Sequence, residues 1–365
     1  MFHNKSFHFL FYISSHGLGH STRMIEVANH IPIIHKITFA TCAPEWIYHT
    51  NLHRPFFYRR TKIDAGVIQS DLLTILEEET LNEFAFLNNH RDEIIKEEVK
   101  WNKTNQVDII ISDIPAMAFP IARKLSIPSV GISNFTWDWI YGPMVKKYPH
   151  HTHLIENLCN DYKEAELFLC LPMYGKLPFF REVKFIPFIA SKSSCSPEEI
   201  RKKLSIEGRR KLILCSFGGH EMASINFSQV AKELDEFTLI SFNPQFPSEY
   251  PDFITLKDEK NILHADIVAA ADIVVCKPGY GIVSETIANC TKVLYTCRKD
   301  LIENTVLVEG LRNFAIAEEI PNKDFLKGKW GSYIHRLLQK NKTFLDVDCS
   351  GAEVAVKEIF NLIKI

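Results

Sequence analysis

Apolar residues divide the chain into short buried runs that alternate with amphipathic stretches. Residues 7–14 form a nearly continuous apolar run, which is typical of a parallel strand covered on both faces. After a glycine turn, apolar residues recur at helical spacing over 24–31, and Ser21 or Thr22 is predicted to cap that helix. Lys36–Thr41 has the composition of a second strand. This order predicts a β-turn-α-β unit, which normally builds a parallel sheet.

The same alternation continues along the rest of the chain. Further strands are predicted at 107–112, 129–133, 211–216, 237–242, 254–256, 272–276 and 292–296. Helices are predicted at 116–125 and from about Met222, and 77–100 is predicted to be a charged helical excursion that faces solvent. A stretch with serines and a proline, 188–198, is the predicted linker. Two glycine-bearing strand-to-helix turns, one in each half, therefore predict an α/β protein with two Rossmann-like domains.

Composition and charge narrow the class of protein. The chain has 365 residues, of which 46% are apolar and 24% charged, so two folded domains are expected rather than disorder. The formal net charge is −2, so the chain lacks the excess of positive charge that is typical of nucleic-acid-binding proteins. Nucleic acid is therefore not expected as a partner. The 9 cysteines show no CxxC spacing, which argues against a disulfide framework or a zinc site and favours a cytoplasmic location. No apolar run approaches the roughly 18 residues of a membrane span, whereas peripheral contact at the inner face of a membrane stays open.

Gly17, Gly19 and His20 lie in the first turn, between the predicted strand and the predicted helix. The turn does not complete a dinucleotide fingerprint, because Thr22 occupies the third glycine position and the next strand ends without an acid. Nicotinamide binding is therefore disfavoured. The glycines let a substrate approach the start of the helix, where His20 can accept a proton from an attacking hydroxyl. The alternative is that His20 only caps the helix or is satisfied in the core.

Asp113 directly follows the predicted strand 107–112. Because parallel strands end at the same edge of a sheet, its carboxylate is expected to point into the crevice beside the first turn. There it could hold the imidazole of His20 in one tautomer and stabilise the charged form. The alternative is that Asp113 caps the helix that follows it.

The second half of the chain carries two more turns of this kind. Ser216, Gly218 and Gly219 follow an apolar strand, and their hydroxyl and backbone N–H groups suit phosphate oxygens. The predicted strand 272–276 runs into another glycine turn and a helix that carries Glu285. A carboxylate one turn inside such a helix can accept hydrogen bonds from both hydroxyls of a ribose. The alternative is a solvated helical acid.

These motifs resemble those of a known fold family. KPGYGIVSE (277–285) and the following TIANCTKVLYT (286–296) are similar to the donor-nucleotide signature of GT-B glycosyltransferases, in particular the family 28 branch with the N-acetylglucosaminyltransferase of peptidoglycan synthesis. GLGHSTR (17–23) and SNFTWDWIY (133–141) resemble the glycosyltransferase-like half of plant and bacterial L-arabinokinases. The resemblance implies two Rossmann-like domains facing across a cleft. We expect an acceptor-side domain at 1–187, a nucleotide-sugar domain at 188–350, and a last helix at 351–365 that packs back on the first domain.

The resemblance also implies roles for individual residues. His20 would lie beside the acceptor or the anomeric carbon of the donor, with Asp113 as its orienting acid. Glu285 would bind the ribose, and Glu303 and Asn304 would contact hydroxyls of the donor sugar. The phosphates and the nucleotide would lie against the glycine turns, at Gly17, Gly19, Ser216, Gly218, Gly219, Gly279, Gly281 and Ser284.

The function that the resemblance implies is transfer of a hexose from a nucleotide sugar, with UDP-sugar as the favoured donor. It implies neither a metal nor a cofactor, since the nucleotide sugar is a substrate. The acceptor stays unassigned among small molecules, glycans and lipid-linked compounds, because Pro278 and Tyr280 depart from the second glycine turn of the family and the first glycine run is short. No kinase-type half follows, so arabinokinase activity is not expected.

Two alternatives remain beside glycosyl transfer. On the same fold, water could replace the acceptor, which would make the protein a nucleotide-sugar hydrolase, or the fold could support an epimerase. The chain could also be a module that binds a nucleotide sugar without catalysis. An aromatic cluster could line an acceptor site, although a place in the core is favoured for most of its members, Phe135, Trp137, Trp139 and Tyr141.

Overall fold

The protein, described here from a computed structural model, forms two compact units. The structure describes residues 5–206, 210–218, 222–256, 262–298 and 300–363. Within these residues the first unit comprises 5–68, 76–189 and 348–363, and the second comprises 69–75 and the described part of 190–347. The segment 69–75 thus leaves the first unit in sequence and folds with the second.

The first unit is built on one parallel sheet. Its strands are β1 (His8–Ile13), β2 (Lys36–Thr41), β3 (Phe57–Arg60), β4 (Ile109–Asp113), β5 (Ser129–Ser133), β6 (Leu167–Cys170) and β7 (Val183–Phe185). They lie in the order β3-β2-β1-β4-β5-β6-β7, and every pair is parallel. The direction of strand succession reverses between β1 and β4, which is the switch point where ligands bind in open α/β sheets.

The helices of the first unit connect these strands. They are α1 (Gly19–Asn29), α2 (Trp46–Asn51), α3 (Glu77–Asn89), α4 (Arg91–Thr104), α5 (Ala118–Leu125), α6 (Trp137–Lys147) and α7 (Thr152–Tyr162), with a 3-10 turn at Pro149–His151. The chain's final described helix, Gly351–Leu362, also belongs to this unit, where Phe360 packs against Phe9 and His35. In the described residues, no helix is long and apolar enough to span a bilayer.

The second unit repeats the architecture with a smaller parallel sheet. Its strands are β8 (Lys211–Ser216), β9 (Phe237–Ser241), β10 (Phe253–Thr255), β11 (Ile273–Cys276), β12 (Lys292–Tyr295) and β13 (Ala317–Glu319), in the order β10-β9-β8-β11-β12-β13. Its helices are α8 (Pro197–Lys203), α9 (Phe227–Glu233), α10 (His264–Ala270), α11 (Tyr280–Ala288), α12 (Glu303–Phe314), α13 (Asn322–Leu326) and α14 (Gly331–Gln339), which makes Gly351–Leu362 helix α15. Here the order of the strands reverses between β8 and β11.

Each unit has its own apolar core. Leu10 and Ile110 of the first sheet pack against Ile121 of α5, and all three side chains are fully buried. In the second unit, Trp330 and Leu72 lie in one buried cluster. The inclusion of Leu72 explains why 69–75 folds with the second unit, since this short segment contributes apolar side chains to that core.

Three local expectations were wrong. Helix α1 begins at Gly19, so Ser21 and Thr22 lie inside it and do not cap it. Residues 77–100 are not one helix that faces solvent, because α3 and α4 are separate and Glu98 of α4 is buried, where it accepts a 2.6 Å hydrogen bond from the hydroxyl of Tyr12. No helix begins at Met222 either, since the first helix described after that residue is α9.

Candidate functional site

The ends of β1 and β4 lie side by side, because the register pairs Ile13 with Asp113. The turn after β1 passes through Gly17 at a φ of +77°, a conformation that favours glycine. Helix α1 then begins at Gly19 and carries His20 toward the end of β4. The Nδ1 atom of His20 lies 3.0 Å from Oδ1 of Asp113, and both side chains are buried. The structure thus brings together the two residues expected to form a dyad.

Arg23, which was not predicted as a site residue, completes this cluster. It lies three residues after His20, on the same face of α1. Its Nε donates to Oδ2 of Asp113 and its Nη2 donates to Oδ1 at 2.5 Å, a bidentate arrangement. It also donates hydrogen bonds to Oγ of Ser133 and Oδ1 of Asn134, both at 2.9 Å. The guanidinium therefore links Asp113 at the end of β4 to Ser133 at the end of β5.

These contacts determine which nitrogen of His20 carries a proton. Nη2 of Arg23 lies 2.9 Å from Nδ1 of His20, but its two hydrogens are already directed to Asp113 and Ser133. The carboxylate of Asp113 is an acceptor, so Nδ1 of His20 is the donor in that contact. A neutral imidazole then has a bare Nε2. This is the tautomer that a general base requires.

The charges of the cluster balance one another in a dry environment. Burial alone would raise the pKa of Asp113, but the charges of Arg23 and His20 and their hydrogen bonds hold it below its usual value. A second carboxylate, Asp64, accepts a 3.0 Å hydrogen bond from Nε1 of Trp137, and burial raises its pKa. Asp113 is therefore the ionised partner of His20.

Replacing Arg23 with methionine is expected to lower the free energy of unfolding by about 3–5 kcal/mol, because the buried carboxylate of Asp113 loses its bidentate partner. Chemical denaturation of the full chain measures this effect. Arg123→Met is the matched control, since the Arg123 side chain is 61% exposed and its ion pair with Glu164 is worth less than about 1 kcal/mol. Equal stability of the two variants would contradict the proposed balance of charge.

The aromatic stretch after β5 is mostly core, as predicted. Phe135, Trp137 and Tyr141 are at most 3% exposed, and Trp137 stacks on Tyr141 with ring centroids 5.2 Å apart. A cavity of about 10 Å³ lies beside Trp137, Tyr141 and Asp64, which is room for about one water molecule. Only Trp139 of the four aromatic residues is partly exposed, so most of this stretch supports the fold rather than a ligand.

In the second unit, the ends of β8 and β11 are neighbours, since the register pairs Ser216 with Cys276. The chain after β8 passes through Gly218 at a φ of +67°. Gly219, the next residue expected to bind phosphate, lies outside the described residues. The geometry thus places Ser216 beside the start of the second glycine turn.

Ser216 and Glu285 are joined by a residue that the sequence analysis did not single out. The Oγ atom of Ser216 lies 3.0 Å from Nε2 of His264, and Nδ1 of His264 lies 2.6 Å from Oε2 of Glu285. His264 is the first residue of α10, and the ring of Phe242 lies 5.4 Å from its own. The predicted phosphate and ribose ligands are therefore linked through one imidazole.

The second glycine turn leads into α11. Gly279 occupies the N-cap position of α11, and because it has no side chain, no N-cap side chain accepts a hydrogen bond from this helix start. Gly281 lies in the first turn of α11. Ser284 is buried and its hydroxyl donates to the carbonyl of Gly281 at 3.0 Å, so it serves the helix itself. This helix start suits an anion.

Two buried basic side chains lie next to this helix start, and neither was predicted as a site residue. Lys277 is 9% exposed, and its Nζ lies 3.3 Å from Oε1 of Gln69. Burial and then the positive charge of Arg298 lower the pKa of Lys277 to about 6. Nη2 of Arg298 donates to the carbonyl of Pro278 at 3.2 Å.

Glu303 and Asn304, the residues expected to contact the donor sugar, surround Arg298. Oε2 of Glu303 lies 3.6 Å from Nη2 of Arg298, and Nδ2 of Asn304 donates to the carbonyl of Arg298. Within the described chain, the buried Nε of Arg298 and Oδ1 of Asn304 have no hydrogen-bond partner. Buried polar atoms without a hydrogen-bond partner are uncommon in folded proteins.

Acidic residues do not form an evident metal centre in the described residues. Asp346 and Asp348 have the spacing of a DxD motif, but Oδ1 of Asp348 accepts hydrogen bonds from the N–H and the hydroxyl of Ser350, at 2.9 and 2.6 Å. These contacts fix the start of α15. No group of three His, Cys, Asp or Glu side chains there has a metal-binding arrangement.

Comparison with known proteins gives relatives in sequence and in fold. No family model matches the chain. It is 29% identical over 358 residues to an L-arabinokinase of Arabidopsis thaliana, covering 96% of this chain and 34% of that protein. The chain therefore spans about a third of the length of the curated relative it matches.

Solved glycosyltransferases share the fold at low identity. A UDP-glucosyltransferase from Polygonum tinctorium superposes with a TM-score of 0.62 at 12% identity, over 100% of both chains. MurG of Acinetobacter baumannii superposes with a TM-score of 0.55 at 12% identity, over 99% of this chain and 100% of that chain. The predicted resemblance and fold class are confirmed: the chain has the GT-B fold of two parallel-sheet α/β units, and its sequence is similar to part of an L-arabinokinase.

Proposed function

We propose that this protein is a GT-B glycosyltransferase that moves a hexose from a UDP-sugar to the hydroxyl of an acceptor. The observation that carries the proposal is the contact of His20 with the buried Asp113, at 3.0 Å, at the switch point of the first sheet. The fold it shares with glycosyltransferases supports the reaction class, and similarity to a UDP-glucosyltransferase supports the donor.

In this proposal His20 is the general base of the first unit. Asp113 and Arg23 hold its imidazole with the proton on Nδ1, which leaves Nε2 to accept the proton of the acceptor hydroxyl. As the acceptor oxygen attacks the anomeric carbon, its proton passes to Nε2 and the bond from that carbon to the diphosphate breaks. The carboxylate of Asp113 stabilises the imidazolium that forms.

The second unit would bind the donor. Glu285 would accept hydrogen bonds from the ribose, and the start of α11, where Gly279 is the N-cap, would face the diphosphate with its N–H groups. Lys277 and Arg298 would add positive charge at the same place. Because these groups are held before the reaction begins, they stabilise the charge that develops on the leaving diphosphate. No metal is needed in this proposal.

The proposal is tested by incubating the full chain with UDP-, GDP- and dTDP-sugars, with and without a library of hydroxyl acceptors. At concentrations ten- to hundredfold above their Kd, UDP-sugars are expected to raise the free energy of unfolding by about 1.4–2.7 kcal/mol. A thermal-shift assay detects this as a higher melting temperature. Mass spectrometry then follows the sugar, which is expected on an acceptor and only slowly in free form.

Each other outcome selects a different reaction. Fast release of free sugar without an acceptor would favour a hydrolase, and conversion to an isomeric nucleotide sugar would favour an epimerase. Binding of UDP-sugar with no turnover on any acceptor would favour a non-catalytic module. Absence of any stabilisation by the three nucleotide-sugar classes would overturn the donor site.

A further inference from the structure

His264 occupies a position in the second unit that glycosyl transfer, as proposed above, does not use. Its side chain is 32% exposed, whereas the side chain of Glu285 is 9% exposed. It lies between Ser216 at the end of β8 and Glu285 in the middle of α11. Both neighbours, Ser216 and Glu285, are residues that the family resemblance assigns to the donor.

The contacts of His264 fix its tautomer. The carboxylate of Glu285 can only accept, so the 2.6 Å contact requires a proton on Nδ1 of His264. When the imidazole is neutral, its Nε2 is therefore an acceptor, and the hydroxyl of Ser216 must donate to it across 3.0 Å. The proton of that hydroxyl is then directed at the histidine.

Protonation of His264 reverses the second hydrogen bond. An imidazolium is a donor at both nitrogens, so Nε2 donates to Oγ of Ser216 and the hydroxyl proton is released. A released hydroxyl can donate to a phosphate oxygen, whereas the hydroxyl of the neutral state presents only lone pairs to an anion. The protonated state is thus the one suited to a diphosphate.

We propose that His264 is a positioning residue that couples binding of a nucleoside diphosphate to uptake of one proton, by turning the hydroxyl of Ser216 toward the phosphate. This inference rests on the proposed function and adds Ser216 to it as a ligand of the donor diphosphate. His264 itself touches neither the phosphate nor the reacting carbon. Its role passes through the Ser216 hydroxyl.

Other charged groups near α10 are engaged elsewhere. Asp266 accepts hydrogen bonds from Ser193 at 2.6 Å and from the N–H of Leu263 at 3.0 Å. Arg201 of α8 binds the carbonyl of Ala270, at the far end of α10. Glu285 is therefore the charged group in contact with the imidazole in the described residues.

The experiment is calorimetric titration of the full chain with UDP from pH 5.5 to 8.5, in buffers of different ionisation enthalpy. The wild-type affinity is expected to rise as the pH falls, by as much as tenfold per pH unit where one proton is taken up. His264→Gln places a non-titrating amide near the position of Nε2. This variant is expected to take up fewer protons than the wild type, by up to one, and to bind UDP with a flatter pH dependence.

Ser216→Ala distinguishes positioning from a simple charge effect of His264. If the coupling passes through the hydroxyl, this variant loses the same part of the pH dependence, and the double variant behaves like Ser216→Ala alone. If the UDP affinity of either Ser216→Ala or His264→Gln keeps the wild-type pH dependence, the inference fails. The proposed donor site is then unaffected. If UDP binds none of the proteins, the proposed donor site itself fails. Unchanged far-UV circular dichroism confirms that the variants are folded.

Discussion

Replacing His20 with alanine is expected to lower kcat for sugar transfer by about 10²–10⁴-fold, the usual contribution of a positioned general base. The affinity for UDP is expected to stay within about twofold, because His20 belongs to the first unit and the proposed donor ligands belong to the second. Steady-state rates and calorimetric titration with UDP measure the two quantities separately. A loss confined to kcat is the signature of a group that acts in the transition state.

A matched control lies at the end of the same helix. His30 follows the end of α1, contacts Glu26 and lies partly exposed, so His30→Ala should leave kcat unchanged. Asp113→Asn tests the tautomer, because its amide can donate to Nδ1 and shift the imidazole proton to Nε2. That variant should lose activity even where its circular dichroism spectrum matches the wild type. Wild-type turnover by His20→Ala would remove His20 from the mechanism.

The meeting of His20 with Asp113 was predictable because it follows from topology. A residue in the turn after β1 and a residue at the end of β4 meet at one edge of a parallel sheet whenever the two strands are adjacent. Arg23 was within reach of the same reasoning. It lies three residues after His20, and a helical cation on the face that carries a predicted active-site histidine is placed to contact the same acid.

Other parts of the site have no signal at short range. His264 precedes Glu285 by 21 residues, and no spacing rule links a helix start to the middle of the next helix. Lys277 stands next to a glycine turn, where a lysine is normally solvated. Its amine contacts Gln69, which is 208 residues away in sequence and folds with the second unit in the segment 69–75. Contacts between residues this far apart in sequence are set by tertiary packing, which the spacing of apolar residues along the chain does not reveal.

Local errors in the predicted elements have the same origin. Ser21 has the composition of an N-cap, but its hydroxyl accepts a 2.9 Å hydrogen bond from Tyr48 inside the fold. Glu98 belongs to a stretch whose charges favoured a solvent-facing helix. It is buried because it pairs with Arg59 and Tyr12. In both cases a distant partner satisfied a polar group that the local pattern assigned to a helix end or to water.

Replacing Lys277 with methionine is expected to stabilise the protein and to weaken donor binding at the same time. Burial lowers the pKa of Lys277 to about 6, against 10.5 for an unperturbed lysine. Between these values the unfolded chain binds more protons than the folded one, so this group makes the free energy of unfolding rise with pH. The destabilisation caused by Lys277 is greatest below about pH 6 and disappears as the pH approaches 10. Methionine has a similar length and no charge to desolvate.

At pH 7 the variant is therefore expected to melt about 4–8 °C higher than the wild type, which corresponds to roughly 2 kcal/mol. The difference should grow at pH 6 and shrink by pH 9, a dependence that scanning calorimetry across this range measures. Lys329→Met, at an exposed lysine of the same unit, should show neither the gain nor its pH dependence.

The affinity of Lys277→Met for UDP is expected to fall by about 10–100-fold, because a diphosphate beside Lys277 favours the ammonium form, which methionine cannot supply. The wild type should also take up a proton at Lys277 on binding UDP above pH 6. The variant should lack that uptake and retain the part that depends on His264.

A variant that is more stable yet binds UDP as tightly as the wild type would show that Lys277 is buried away from the donor. A variant that loses both stability and binding would contradict the cost assigned to its buried amine. A gain in stability together with a loss of UDP affinity is the result expected for a lysine that is buried for binding rather than for folding. Natural proteins retain a destabilising buried lysine where binding depends on it.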